Sequence, residues 1–316
     1  MPDNLIVTIS PHIRSEDNIS RMMLDVIIAL SLNILVSICF YSWRAFSLIL
    51  TCIVFSISTE VISQKIMKKK GTVSDFSAVV TGLLLGFCLP PSLPLWIAAI
   101  GSIFSILVGK QIFGGLGHNP FNPALVGRAF LQVSWPLQMS TWISPFDGIT
   151  TATPLTIDKL NLPGVIPSYE ELFLGSYAGS LGETSVIALL LGAGYLLLRK
   201  RIKLYIPISY IFTVVIIAAI LNKDVLFHVL SGGLILGAFF MAADPVTSPL
   251  TDKGKLIFGA GCGLLTMIIR FRGGFPEGVC YSILIMNMLT PFIDKITRTK
   301  KFGVVGQTRK SCGQIR

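Results

Sequence analysis

A chain of 316 residues that is 52% hydrophobic, only 13% charged and of mean hydropathy +0.74 is too apolar for a soluble domain, in which charged residues make up about a quarter. The net charge of +10 does not point to nucleic acid, because Lys and Arg sit in short clusters beside apolar runs, the arrangement that orients membrane helices. The six cysteines contain no C-x-x-C pair and mostly fall in apolar stretches, so they read as small buried hydrophobes rather than a disulfide frame or an iron–sulfur site.

Residues 1–21 are polar and carry no signal-peptide pattern, so an uncleaved first helix is expected to follow a cytoplasmic segment. A bilayer core needs about 20 mainly apolar residues per helix. On that criterion the runs at 22–41, 45–64, 76–89, 95–108, 123–137, 184–198, 204–221, 225–242, 256–269 and 278–293 predict about ten spans. The third to sixth and the ninth are short, as half-helices or tilted pieces buried among neighbours would be. Gly82-Leu83-Leu84-Leu85-Gly86 recurs as Gly233-Leu234-Ile235-Leu236-Gly237, each followed by a Pro-rich turn, a short apolar run and a basic, Gly-rich connector (110–117 and 270–274). Such a pattern also arises by chance in apolar helices. As a repeat of five spans, an odd number, it would turn the second copy upside down and build a site from broken helices. The expected fold is all-α, with inverted five-span halves at 22–137 and 184–294, a polar connection at 138–183 and a basic tail at 295–316.

Loop charge sets the orientation. Lys65, Lys68, Lys69 and Lys70 follow the second run, Lys110 the fourth, Arg199, Lys200, Arg201 and Lys203 the sixth, Lys253 and Lys255 the eighth, and the basic tail the tenth. All fall on one side, against Arg44, Lys159, Lys223, Arg270 and Arg272 on the other. The positive-inside rule then predicts a multi-pass protein of the cytoplasmic (inner) membrane with both termini in the cytoplasm and the 138–183 connection facing outward.

Several short stretches carry polar chemistry. Asp147-Gly148-Ile149-Thr150-Thr151-Ala152-Thr153-Pro154-Leu155 places three hydroxyls behind an acidic turn, with Thr153 biased to extended backbone by the following proline; a plain Asp-Gly and Thr-Pro surface turn is the other reading. Gly114-Gly115-Leu116-Gly117-His118-Asn119-Pro120-Phe121-Asn122-Pro123 joins close backbone approach to two amides and a ring. It reads either as an amide edge with a stacking aromatic or as a helix start capped by Asn122. Arg128 lies inside a span, where a charge needs a partner or a function. Asp25, Glu60 and Asp244 are the acids in apolar surroundings, candidates for cation passage or for pairing with Arg128, Arg270 or Arg272. For Glu60 and Asp244 a water-accessible helix end is the competing reading, and Asp25 fits a helix-start carboxylate equally well. His12, His118 and His228 lack metal-ligand spacing, and no metal is assigned.

The Asp147–Leu155 stretch resembles the target at which a flavin transferase esterifies FMN to threonine in the D-type subunit of Rnf electron-transport complexes and in the homologous B-type subunit of the sodium-translocating NADH:quinone reductase. Ser10-Pro11-His12-Ile13-Arg14-Ser15, Asp25-Val26-Ile27-Ile28-Ala29-Leu30 and Asn119-Pro120-Phe121-Asn122-Pro123-Ala124 resemble the Rnf protein in the same order, and the short N-terminus favours it over the quinone-reductase counterpart. The resemblance implies Thr153 as the acceptor of a covalent FMN, with Asp147 and Ala152 as recognition positions and Thr150 and Thr151 beside it; Thr151 stands where the related motif often has glycine. It also implies a urea-transporter-like fold and a non-covalent riboflavin contacted by Asn119 and Asn122, to which Phe121 and Arg128 are added as candidates from their chemistry. The function implied is electron relay across the membrane within a ferredoxin:NAD+ oxidoreductase that moves Na+ or H+, with no complete reaction in this chain alone. The implied partners are a soluble NAD/FMN iron–sulfur subunit, a ferredoxin-like subunit, a second subunit with threonine-linked FMN, two small membrane subunits and the flavin transferase. The alternative is a small-solute channel or secondary transporter with inverted repeats and no flavin.

Overall fold

The computed structural model describes residues 18–69, 71–145, 148–160, 162, 166–183 and 185–298. Residues 10–15, Asp147 and all but the first few residues of the basic tail lie outside them. The first element, α1 (Ile19–Ile66), is 48 residues of nearly continuous apolar sequence, about 72 Å if straight, against a hydrocarbon core of about 30 Å. It turns back at Ser42, whose φ of 51° and ψ of −136° are non-helical. Both ends of the resulting hairpin meet one segment: Ser20 Oγ donates to the Ser74 carbonyl at 3.1 Å, and Gln64 Nε2 to Thr72 Oγ1 at 2.8 Å. At the tip, Tyr41 donates to the Ile143 carbonyl at 3.4 Å. The first two expected spans are therefore the limbs of one hairpin, each about 35 Å long.

A 3-10 turn (Val73–Asp75) leads into α2 (Ser77–Phe87), then α3 (Leu95–Ile106), which continues as a π-helical stretch (Leu107–Gln111). Helix α4 (Pro123–Ser134) starts on Asn122, whose side chain accepts from the Ala124 amide, with Pro123 at the first helical position. After α5 (Pro136–Met139), the polar connection forms a two-residue ribbon. In it β1 (Trp142–Ile143) pairs antiparallel with β2 (Thr150–Thr151), Trp142 opposite Thr151 and Ile143 opposite Thr150. Two short helices follow, α6 (Pro154–Leu160) and α7 (Tyr169–Leu174), the second started by a Ser168/Glu171 capping box, and then a 3-10 turn (Leu181–Glu183).

The second half runs through α8 (Val186–Leu198), α9 (Tyr205–Ile220), α10 (Val225–Leu230), α11 (Leu234–Leu236), α12 (Asp252–Arg272) and α13 (Val279–Thr297). The eighth expected span is broken. Gly232 and Gly233 adopt φ of 71° and 64°, left-handed values that cost glycine nothing, and they separate α10 from α11, which passes into a π-helical stretch (Gly237–Met241). The ninth, expected to be short, is a 21-residue helix. Its charged ends read as loop, yet Thr251 caps the first turn by accepting from the Gly254 amide and Arg270 is buried in the last. Helix α12 packs against α9 through Gly259 and Gly263, where a Cβ would lie 2.6 Å from the Ile206 carbonyl oxygen and 2.8 Å from that of Tyr210. Small residues four apart let two membrane helices touch backbone to backbone.

Among the described residues, helices α1, α12 and α13 are long and apolar enough to cross a membrane, and four further apolar helices of 10–17 residues accompany them. With Leu50, Phe212, Met288 and Phe292 exposed on the outside and Leu30, Leu85, Phe87 and Phe258 fully enclosed, the chain is an all-α, multi-pass membrane protein. Cys52, Cys88, Cys262 and Cys280 are buried as expected, whereas Cys39 is exposed.

Candidate functional site

Two polar regions lie at opposite ends of the α1 hairpin. The Gly-rich loop before α4 belongs to the end where the hairpin starts and finishes: Lys69 Nζ donates to the Gly114 carbonyl at 3.3 Å, and Met22 and Met23 share a cavity with Asn119 and Asn122. The β1–β2 ribbon belongs to the other end, against Tyr41.

The first end holds a partly open cavity whose walls are mostly apolar, with Val80, Leu84, Phe239 and Phe240 among them. Asn122 is committed on both sides, as the cap of α4 and through Nδ2 to the Met241 carbonyl at 3.3 Å, at the end of the second π-helical stretch. Asn119 is not. Its Nδ2 donates to the Phe121 carbonyl at 3.0 Å, but its Oδ1 has no partner although the residue is only 4% exposed. A buried amide oxygen left bare costs about 1–3 kcal/mol unless something donates to it. Phe121 is absent from the lining and pairs edge-on with Phe113, ring centroids 6.5 Å apart. Phe239 and Phe240 supply the aromatic surface instead. Their part was hidden in the sequence, where they read as ordinary residues of an apolar run.

Lys110 also lines this cavity, 1% exposed. The sequence placed it among solvated loop charges; it is buried because the π-helical turn carries Gly109, Lys110 and Gln111, three consecutive residues, onto the inward side. Its Nζ lies 2.6 Å from Glu60 Oε1 and donates to Ser77 Oγ at 2.5 Å. Arg201, the other cation on the lining, donates to Asp25 Oδ2 at 2.6 Å, and Asp25 also accepts from Tyr195. Asp244, the third acid singled out, is tied to its own turn through the Val246 amide and the Thr247 hydroxyl.

At the other end, Thr150 and Thr151 are exposed on β2, while Thr153 is 3% exposed. Thr153 starts α6: its Oγ1 contacts Thr156 Oγ1 at 2.8 Å and accepts the Thr156 amide at 3.3 Å, and its carbonyl receives the Thr156 and Ile157 amides. Beside it, Thr151, Ala152 and Pro154 line an open groove with Ser144, Glu171 and Tyr177. Lys159 anchors α6 by donating to the Gly273 and Phe275 carbonyls at 2.5 and 3.1 Å, and partial burial lowers its pKa. Nearby, the Tyr169 hydroxyl donates to Asp224, holding that carboxyl below its usual range and pushing the phenol up.

The three acids do not pair with the arginines the sequence offered them. Arg128, 8% exposed, pairs with Glu277, and Arg272 is exposed. Arg270 spends its donors on the carbonyls of His228 (2.5 Å), Ser231 (2.9 Å) and Glu277 (3.4 Å). Glu277 and Glu183, the latter 5% exposed with a bare Oε1, are the acids the sequence reading missed. Glu277 follows Gly273, Gly274 and Pro276 and looks like loop, and only its position opposite Arg128 in space reveals it.

Comparison with known proteins adds the relationship. Residues 6–303 match the model of the NQR2, RnfD, RnfE family. The D-type subunit of the Na(+)-translocating ferredoxin:NAD(+) oxidoreductase complex of Acetobacterium woodii is 47% identical over 305 residues, covering 95% of this chain and 96% of the relative. Its counterpart in the proton-translocating ferredoxin:NAD(+) oxidoreductase complex of Clostridium ljungdahlii is 45% identical over 316 residues, covering 94% and 96%. The counterpart in the ion-translocating oxidoreductase complex of Escherichia coli O7:K1 is 35% identical over 342 residues, covering 93% and 97%. With similarity running through both candidate regions and nearly the full length of each relative, the chain belongs to the NQR2, RnfD, RnfE family.

Proposed function

We infer that this chain is the D-type membrane subunit of a ferredoxin:NAD+ oxidoreductase complex of the Rnf kind, and that it relays electrons across the membrane between two flavins while the complex moves Na+ or H+. The single observation that carries the relay is the bare, buried Asn119 Oδ1 at an apolar, aromatic-walled cavity, a hydrogen-bonding edge beside aromatic faces, the combination that suits a ring system. A flavin bound there supplies one- and two-electron redox chemistry. Asn119 and the Phe239 and Phe240 rings would hold it. The two cations on the wall are already neutralised by Glu60 and Asp25, which favours a flavin without phosphate, riboflavin, over a dianionic nucleotide.

The outer partner is FMN esterified to Thr153, beside the open groove at α6, with Asp147, Thr150 and Thr151 in the recognised sequence. Between the two ends the core is filled by Leu83, Leu85, Phe87, Leu125 and Leu131, and an apolar wall of this kind favours a relay over a solute channel. Basic residues gather at the Asn119 end, where Arg201 meets Asp25, Lys203 meets Asp252 and Lys69 meets the Gly-rich loop at Gly114; that end is cytoplasmic by the positive-inside rule, with both termini there and Thr153 outside. The ten-span, inverted-repeat architecture is supported by a correspondence between the halves. A left-handed residue precedes a short helix in each, Phe76 (φ 60°) before α2 and Gly233 (φ 64°) before α11. A buried cation from the end of the helix that follows grips the break in each, Lys110 on Ser77 and Arg270 on Ser231.

The remaining partners would be the soluble NAD/FMN iron–sulfur subunit, a ferredoxin-like subunit, a second covalent-FMN subunit and two small membrane subunits. The Acetobacterium and Clostridium relatives differ in the ion their complexes are named for, so similarity at this level spans both Na+ and H+. The test is denaturing electrophoresis of protein made with the flavin transferase present. A fluorescent band that disappears in Thr153→Ala supports the relay; a dark wild-type band, with solute flux through the purified protein, supports the channel.

A further inference from the structure

Lys110 has no business in a membrane core on packing grounds. A Met or Leu would fill the same space without the several kcal/mol that taking an ammonium out of water costs. Its surroundings show what its amine is bonded to and which way it points. Glu60 lies behind it, 0% exposed, with Oε1 facing Lys110 at 2.6 Å, Gln64 at 3.0 Å and Gln111 at 3.2 Å, while Oε2 is bare. Ser77 takes a second Lys110 N–H. An ammonium has three, and Lys110 is on the cavity wall whereas Glu60 is not. The pair is thus neutral as a unit but presents its positive end, with one N–H to spare, to the space beside Asn119.

We propose that the Lys110–Glu60 pair sets how much negative charge the occupant of the Asn119 cavity can carry, Lys110 stabilising the reduced ring and Glu60 limiting that effect. The proposal rests on the reading that a flavin occupies this cavity. An electron added to such a ring adds one negative charge, and in a low-dielectric wall an ammonium in reach of it acts far more strongly than in water. Among the described residues, the other charged side chains on the wall do not duplicate this role, since Arg201 is held by Asp25 and Asp244 is an acid tied to its own turn. Removing Lys110 alone would leave the Glu60 carboxylate without its cation behind the cavity wall. Removing Glu60 alone would leave Lys110 without its ion-pair partner, with Asp75 reaching it only through the Ser77 hydroxyl.

The test uses the full chain on a Thr153→Ala background, so that the dissociable flavin is the one measured. Flavin released by acid is quantified first, then the bound flavin is titrated optically with a chemical reductant at fixed pH. Lys110→Met is expected to lower the reduced-to-oxidised ratio at a given potential at least tenfold, about 59 mV for a one-electron step, with Lys110→Arg restoring it. Glu60→Gln is expected to shift the ratio in the opposite direction, and the double variant Lys110→Met/Glu60→Gln to return it toward the starting value. A purely structural role would lower flavin content in both single variants without opposite shifts, and that result overturns the proposal, as does flavin that stays bound with its potential unchanged. Wild-type protein that yields no dissociable flavin refutes the occupied-cavity reading itself, and the proposal with it.

Discussion

Arg270 is the side chain whose loss should be felt most widely. It is 3% exposed, and two of its bonds, at 2.5 and 2.9 Å, go to the His228 and Ser231 carbonyls, which belong to the end of α10, where helix carbonyls run out of amide partners. A hydrogen bond to a charged group contributes about 1.5–3 kcal/mol, so Arg270→Met removes roughly 3–6 kcal/mol of bonding. Part is returned because a guanidinium no longer has to be desolvated, leaving a net loss of about 2–4 kcal/mol. Arg270→Lys keeps the charge but reaches one carbonyl rather than two, and should lose about half as much. In mild detergent, at about 2–4 °C per kcal/mol for chains of 150–250 residues, the Met variant should melt several degrees below wild type with the Lys variant between. A Met variant indistinguishable from wild type would mean that the α10–α11 break holds without the guanidinium. The correspondence between Lys110 and Arg270 would then lose one of its two legs.

Asn119→Leu removes the bare amide oxygen while keeping bulk, and should weaken retention of the dissociable flavin about tenfold, the equivalent of one hydrogen bond of about 1.4 kcal/mol; equal retention after repeated washing would show that Asn119 does not contact the ring. The Asp224 carboxyl is held below its ordinary value by Tyr169, so its contribution to folding is present above the unfolded value of 3.8 and is lost as pH falls through the lower folded one. Tyr169→Phe should therefore lower thermal stability at neutral pH and converge with wild type in acid, and a gap that widens on acidification would contradict the assignment.

The α-helical membrane architecture was legible because its cause is compositional: apolar runs of about 20 residues bounded by basic clusters. The break at Gly232 and Gly233 was half-visible, as a repeated Gly-Leu-x-Leu-Gly whose first copy lies inside α2 and whose second starts at a left-handed residue. What the sequence hid was pairing across distance. Glu60 and Lys110 are 50 positions apart and Arg128 and Glu277 are 149 apart; Glu60, Lys110 and Glu277 alone can each pass for a solvated end charge, and Arg128 shows that it needs a partner without showing which. Phe121 was preferred to Phe239 and Phe240 because it sits between the two asparagines in sequence, yet α4 starts there and turns its ring toward Phe113. Thr153, read either as an extended hydroxyl behind an acidic turn or as part of a surface turn, is the buried cap of α6, because the proline that biases its backbone to be extended also starts a helix.

That burial sets a condition on how a flavin could be attached at Thr153. The hydroxyl must leave the Thr156 amide, and Leu155, 4% exposed and packed where a Gly232 Cβ would lie, must come away with the first turn of α6. Losing a threonine cap costs about 1 kcal/mol and exposing a leucine about 1.5–3 kcal/mol. The open form should therefore be present at about one molecule in a hundred to a thousand, each 1.4 kcal/mol being a factor of ten. If the transferase acts on folded protein, its rate is scaled by that fraction, and Leu155→Ala, which lowers the opening cost by about 2 kcal/mol or more, should speed labelling of purified, unmodified protein by more than tenfold while leaving the final yield unchanged. If attachment precedes docking of α6 during synthesis, the same variant gains nothing when labelled in cells but still gains in the purified reaction. A Leu155→Ala protein that is folded and labelled no faster than wild type in the purified reaction would show that exposure of the hydroxyl is not the limiting step, and the capped geometry of Thr153 would then have no bearing on its modification.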